Sequence, residues 1–112
     1  MVKLIVAIKR RADLSVEAFQ QHWRTRHAAL VLACPASARY IRGYVQCLTI
    51  ALAYAQGEPA FDGTAELWFD SDTDRARFFS DPDYLETVQP DEGRFADMTQ
   101  TRFFLTEEHR VI

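Results

Sequence analysis

From Val2 to Lys9 the chain alternates, with Val2, Leu4, Val6 and Ile8 on one face and Lys3, Ile5 and Ala7 on the other. Apolar residues on both faces predict a central strand covered on both sides. The period then lengthens. On a helical wheel, Val16, Phe19, Trp23, His27, Leu30 and Cys34 fall within roughly 80° of arc. Gln20, Gln21, Arg24 and Thr25 lie outside that stripe. Ser15 offers an N-cap, Glu17 suits the first turn, and Leu14 can staple onto Phe19. A helix is therefore predicted over 16–33, ended by Cys34-Pro35.

A second strand reads from about 39 to 50, with Tyr40, Arg42, Tyr44, Gln46 and Leu48 on one face. The stretch 51–60, with its Gln56-Gly57-Glu58-Pro59, is the longest loop and a lid candidate. A third strand spans 63–69, opposing Ala65, Leu67 and Phe69 to Thr64, Glu66 and Trp68. Ser71 or Asp72 caps a short helix to Phe79, a further turn runs through Val88, and Pro90 and Gly93 break helix again. A fourth strand at 101–105 and a tail close the chain.

The order β-α-β-β-α-β predicts one α+β domain over 1–112. Its expected architecture is ferredoxin-like, a four-stranded antiparallel sheet with helices on one face. Tyr44 and Trp68 are then expected on the bare face, which calls for a second copy, so a homodimer is predicted. The alternative is a monomer whose tail covers that face.

Composition narrows the function. The 112 residues are 48% hydrophobic and include 14 aromatics, enough for a core plus a pocket or an interface. A net charge of −3 disfavours non-specific nucleic-acid binding. No apolar run is long enough to span a membrane or to form a leader. Cys34 and Cys47 form no CxxC, which suggests a reducing compartment and a cytoplasmic protein, with a disulfide as the other reading.

Few residues suggest chemistry. His27, on the buried stripe beside Trp23, can exchange a proton near neutral pH, and a dry pocket would lower its pKa. Its other role would be a structural histidine. Tyr40 could orient a carbonyl or plug the end of the core. Glu66 reads as an ion pair with Arg42 or Arg102, Asp62 as a turn former with Gly63, and His22 and His109 as exposed or interfacial. His22 and His27, five apart, should point about 140° away from each other on an α-helix. Asp70-x-Asp72-x-Asp74 lacks the glycine and glutamate of a calcium loop. No metal or cofactor is expected.

Three segments resemble EthD-domain proteins. Ser15 to His27 is similar to their S-x-E-x-F-x-x-x-W-x-x-x-H helix, Phe61 to Phe69 to their FDG-opened third strand, and Asp91-Glu92-Gly93-Arg94-Phe95 to their DE-x-x-F segment. The terminal Thr106-Glu107-Glu108 fits their closing strand. The resemblance implies a dimeric α+β barrel. Relatives include lactone isomerases, polyketide cyclases and cofactor-free anthrone oxygenases. A methylmuconolactone-isomerase-like relative implies a helix His and a strand Tyr, here His27 and Tyr40. The cysteine such isomerases carry in the third strand is Leu67 here. The expected function is cofactor-independent acid/base chemistry or oxygenation on a small hydrophobic, oxygenated substrate. Phe19, Trp23, Leu67 and Phe79 would line the pocket. The alternative is a non-catalytic binder or accessory subunit. A haem-binding barrel with His27 as axial ligand is a weaker third reading.

Overall fold

The computed structural model describes residues 1–112. Four strands pair antiparallel: β1 (Val2–Ile8), β2 (Ile41–Leu48), β3 (Gly63–Phe69) and β4 (Arg102–Thr106), in the order β2-β3-β1-β4. Leu4 sits between Leu67 and Leu105, and Val6 between Ala65 and Phe103. This face meets the helices. It is the expected α+β, ferredoxin-like arrangement.

Helix α1 runs unbroken from Val16 to Ala33, but its winding changes. Val16–Gln21 and Ala28–Ala33 are α-helical, and His22–His27 is a π-helical turn. The Ser15 hydroxyl accepts the Ala18 N–H at 3.0 Å and caps the start. Pro35 does end α1, yet it also starts a short helix, α2 (Pro35–Tyr40), because proline suits the first helical turn. β2 therefore begins at Ile41, and Tyr40 belongs to a helix end.

Three expectations fail here for local reasons. First, β2 carries a bulge between Ile41 and Gly43, so Arg42 has no partner on β3. Beyond it, Tyr44 faces Leu67 on the helix-covered side, while Gly43, Val45 and Cys47 share the bare side with Trp68. Second, 51–60 is not a free loop. It contains helix α3 (Ala51–Ala55), and its Glu58 is held by Lys9 and Arg10, each at 2.8 Å. Third, Pro90 and Gly93 do not break helix. After α4 (Asp72–Ser80), helix α5 starts as a π-helical turn, Tyr84–Val88, and continues through Gln89–Phe95. Pro90 sits where the winding passes from π- to α-helical, a step in the backbone ladder that can spare one N–H.

The core lies between α1, α5 and the sheet. Phe19, Trp23, Phe69, Phe78 and Val88 are its largest fully buried apolar side chains. Trp23 rests on Gly63. A Cβ there would lie 2.5 Å from the Cys47 carbonyl oxygen and 2.8 Å from the Trp23 ring. Backbone cannot yield as a flexible side chain does, so Gly63→Ala is expected to destabilise the protein by about 3 kcal/mol in urea unfolding. Gly93→Ala, with open space around it and a helical backbone, should instead stabilise it by about 0.5–1 kcal/mol.

Candidate functional site

The π-helical turn decides the site. In a π-helix the N–H bonds five residues back, so residues five apart stack one turn above each other. The Ala28 N–H reaches the Trp23 carbonyl in this way. His22 and His27 consequently point to the same side, against the 140° separation expected of an α-helix. Both reach one carboxylate. His22 Nε2 lies 3.0 Å from each oxygen of Asp91, and His27 Nδ1 lies 2.9 Å from Oδ2. Arg94 donates to Oδ1 at 3.3 Å. His22 is thus neither exposed nor free, its side chain retaining 18% exposure. The Phe95 ring packs beside both imidazoles, at 4.8 Å from His27 and 5.3 Å from His22.

Asp91 is fully buried. Burial pushes its carboxyl up, but the hydrogen bonds from His22, His27 and Arg94 outweigh burial and hold it below its ordinary value. For His27 the balance is reversed. Burial depresses the imidazole, although the Asp91 carboxylate pulls the other way. A neutral His27 donates from Nδ1 to Asp91, which leaves the Nε2 lone pair free.

His27 opens onto a cavity between helices and sheet. The cavity volume is about 60 Å³, and 15 of its 18 lining residues are hydrophobic. That suits an apolar guest met by a few polar groups. Trp23, Leu67 and Phe79 line it with His27, as the sequence suggests. Phe19 does not. Its ring packs against Trp23 at 5.6 Å and Phe95 at 5.9 Å inside the core. Tyr40 does not line it either, because α2 ends there and its ring lies under the Arg39 guanidinium at 5.7 Å. Tyr44, further along on β2, does line the cavity. Its oxygen accepts from Gln46 Nε2 at 2.9 Å, and burial raises its pKa despite that bond. The lid candidate 51–60 contributes nothing to the lining.

The sequence missed two more polar groups. Glu92 and Tyr84 share the cavity, and the Tyr84 hydroxyl donates to the Glu92 oxygens at 2.9 and 3.1 Å. Burial pushes the Glu92 carboxyl up to about 7. Neighbouring Asp91 adds to that rise, and the Tyr84 hydrogen bond opposes it. The only sequence signal for either carboxylate is the Asp91-Glu92 pair of the family-like segment. It was not placed on a helix face because Pro90 and Gly93 read as breakers.

The remaining candidates are structural. Asp62, fully buried, accepts from the Arg10 N–H at 2.8 Å and the Tyr54 hydroxyl at 2.5 Å. It ties the loop before β3 to the end of β1, a larger part than shaping a turn. Glu66 pairs with Lys3, not with Arg42 or Arg102, and accepts from Cys47 Sγ at 3.1 Å. Arg42 pairs with Asp70 instead, and Arg102 donates to the carbonyls of Thr99 and Thr101. His109 is exposed. Both cysteines are free thiols. No three His, Cys, Asp or Glu side chains are arranged to hold a metal ion, and no helix is long and apolar enough to cross a membrane.

Known proteins share this architecture. An EthD family protein from Bacillus halodurans superposes with a TM-score of 0.72 at 22% identity, over 97% of this chain and 99% of that one. A dimeric protein of unknown function from Bacteroides fragilis gives 0.69 at 20% identity, over 96% and 95%. A dimeric ferredoxin-like protein from Thermobifida fusca gives 0.65 at 11% identity, over 94% and 88%. No curated protein matches the chain. The family model of the EthD domain matches residues 11–99, from just after β1 to just before β4 and including every residue of the Asp91–histidine cluster, and the chain belongs to the EthD family.

Proposed function

We propose that this chain is an enzyme that moves protons on a small, largely apolar, oxygen-bearing molecule, such as an aromatic, lactone or polyketide-like ring. His27 is the base, and the step needs no cofactor. One observation carries the reading: His27 is tied through Nδ1 to a buried carboxylate and itself lines an apolar cavity. Asp91 fixes the tautomer and stabilises the imidazolium that forms when Nε2 takes a proton. Tyr44 holds the substrate oxygen, in the place the sequence suggested for Tyr40. Trp23, Leu67 and Phe79 exclude water and shape the ring site. Deprotonation is the first step of an isomerisation or dehydration, and it also prepares an electron-rich anion for oxygenation. The apolar lining equally suits a non-catalytic binder of a hydrophobic metabolite.

The chain acts as a homodimer in this reading. On the bare sheet face Val45 and Phe104 are each nearly half exposed, beside Trp68 and Ile5. The tail does not cover them. Glu108 accepts from the Trp68 indole, but Val111 and Ile112 stay in solvent. Two of the dimeric relatives in fold have the same architecture.

Proton transfer is tested with 2-tetralone in deuterated buffer, following exchange beside its carbonyl by NMR. The wild-type protein should accelerate exchange. His27→Gln, which keeps a polar side chain beside Asp91, should abolish that acceleration with its melting temperature nearly unchanged. Asp91→Asn should lower it by at least about 100-fold. Tetralone binding without exchange would favour the binder. Sedimentation equilibrium at micromolar concentration should show a dimer; a species of 12.9 kDa alone would sink that part.

A further inference from the structure

The cavity contains no lysine or arginine, so nothing there compensates a substrate's negative charge. Burying an unpaired carboxylate is strongly unfavourable. A ligand must therefore enter neutral and be met by hydrogen bonds. His27 Nε2 offers an acceptor. Beside the Tyr44 hydroxyl, the cavity holds a second and more acidic group that can donate to the ligand's oxygen. The Glu92 carboxyl lines the cavity and is held by a single internal donor, the Tyr84 hydroxyl. Unlike Asp91, it has no imidazole or guanidinium beside it.

We propose that Glu92, positioned by Tyr84, carries a proton into the cavity and hydrogen-bonds the substrate's oxygen. With His27 as acceptor, it selects neutral phenols and ketones over carboxylates. This rests on the cavity being the substrate site. A carboxyl with a pKa of about 7 is protonated in about half the molecules at neutral pH. Once ionised it would repel a ligand oxygen. The charged and titratable groups around it are few. Tyr84, Asp91 and Arg94 lie on its own helix, His22 of α1 meets Asp91, His27 and Tyr44 share the cavity from α1 and β2, and Arg75 of α4 shares the open groove along β4. Burial keeps His27 neutral and both phenols protonated through the neutral range. The hydrogen bonds around Asp91 keep it ionised. Glu92 is the cavity group whose charge changes there.

Ligand binding is read from Trp23 fluorescence, since Trp23 lines the cavity. The probes are 4-ethylphenol, 4-ethylbenzoate and ethylbenzene. The ethylphenol hydroxyl stays protonated over the range used. Its affinity should fall about ten-fold or more between pH 6.5 and 8.5. Ethylbenzoate should bind at least ten-fold more weakly than ethylphenol at every pH, and ethylbenzene should show no pH dependence. Glu92→Gln, whose amide donates at any pH, should bind ethylphenol with an affinity that no longer declines between pH 6.5 and 8.5. Tyr84→Phe, which retains the carboxyl and removes the bond that lowers its pKa, should move the decline to higher pH. An unchanged profile in Glu92→Gln, or ethylbenzoate binding as well as ethylphenol, would overturn the role of Glu92 and leave the cavity reading standing. Failure of all three probes to bind would overturn both.

Discussion

The structure turns on one buried charge. Asp91 lies at the centre of the helical layer with no exposed surface, and an ionised carboxylate there is tolerable only if donors surround it. Three do: two imidazoles from α1 and a guanidinium from its own helix. No straight α-helix brings both imidazoles to one point, so the widened turn at His22–His27 and the ionised Asp91 require each other. The tryptophan inside that turn then lands on the only kind of residue that leaves room for it, Gly63. The placement of both histidines and the seating of Trp23 follow from satisfying this ion.

Asp91 and Glu92 are neighbours in sequence and opposites in environment. The first is saturated with donors and stays ionised. The second has one phenol and an apolar surround, and it holds its proton far longer. Two carboxyl groups on adjacent residues thus do different work because a helix turns them to different surroundings. His27 bonds the charged carboxylate through Nδ1 and shares the lining of the cavity with Glu92.

Much of the fold was legible because its determinants are local. The alternation of β1, the Ser15 and Ser71 caps, and the end of α1 at Pro35 each depend on a few adjacent residues. His27 on the buried stripe, with Trp23, was legible for the same reason. The sequence erred where one extra residue enters a regular element. A bulge at Arg42 left the facing of β2 to tertiary pairing and so placed Tyr44 on the wrong side of the sheet. The wide turn in α1 hid the alliance of His22 with His27. Pro90 and Gly93 carry strong breaker signals, yet the π-helical start of α5 absorbs the proline. That concealed the helix face on which Asp91 and Phe95 lie, and with it half of the candidate site.

The widened turn has an effect on comparison as well as on chemistry. It is an insertion of one residue hidden inside a helix, with no loop to betray it. Residues before His22 and residues after His27 belong to two frames offset by one. Setting α1 beside an uninterrupted α-helix of equal length therefore matches the environment of one histidine or of the other, never of both. A gap has to be opened within the helix for both sides to correspond. A relative without the extra residue would keep its apolar stripe and its tryptophan while losing the second imidazole on the carboxylate, a difference that a count of identical positions would pass over.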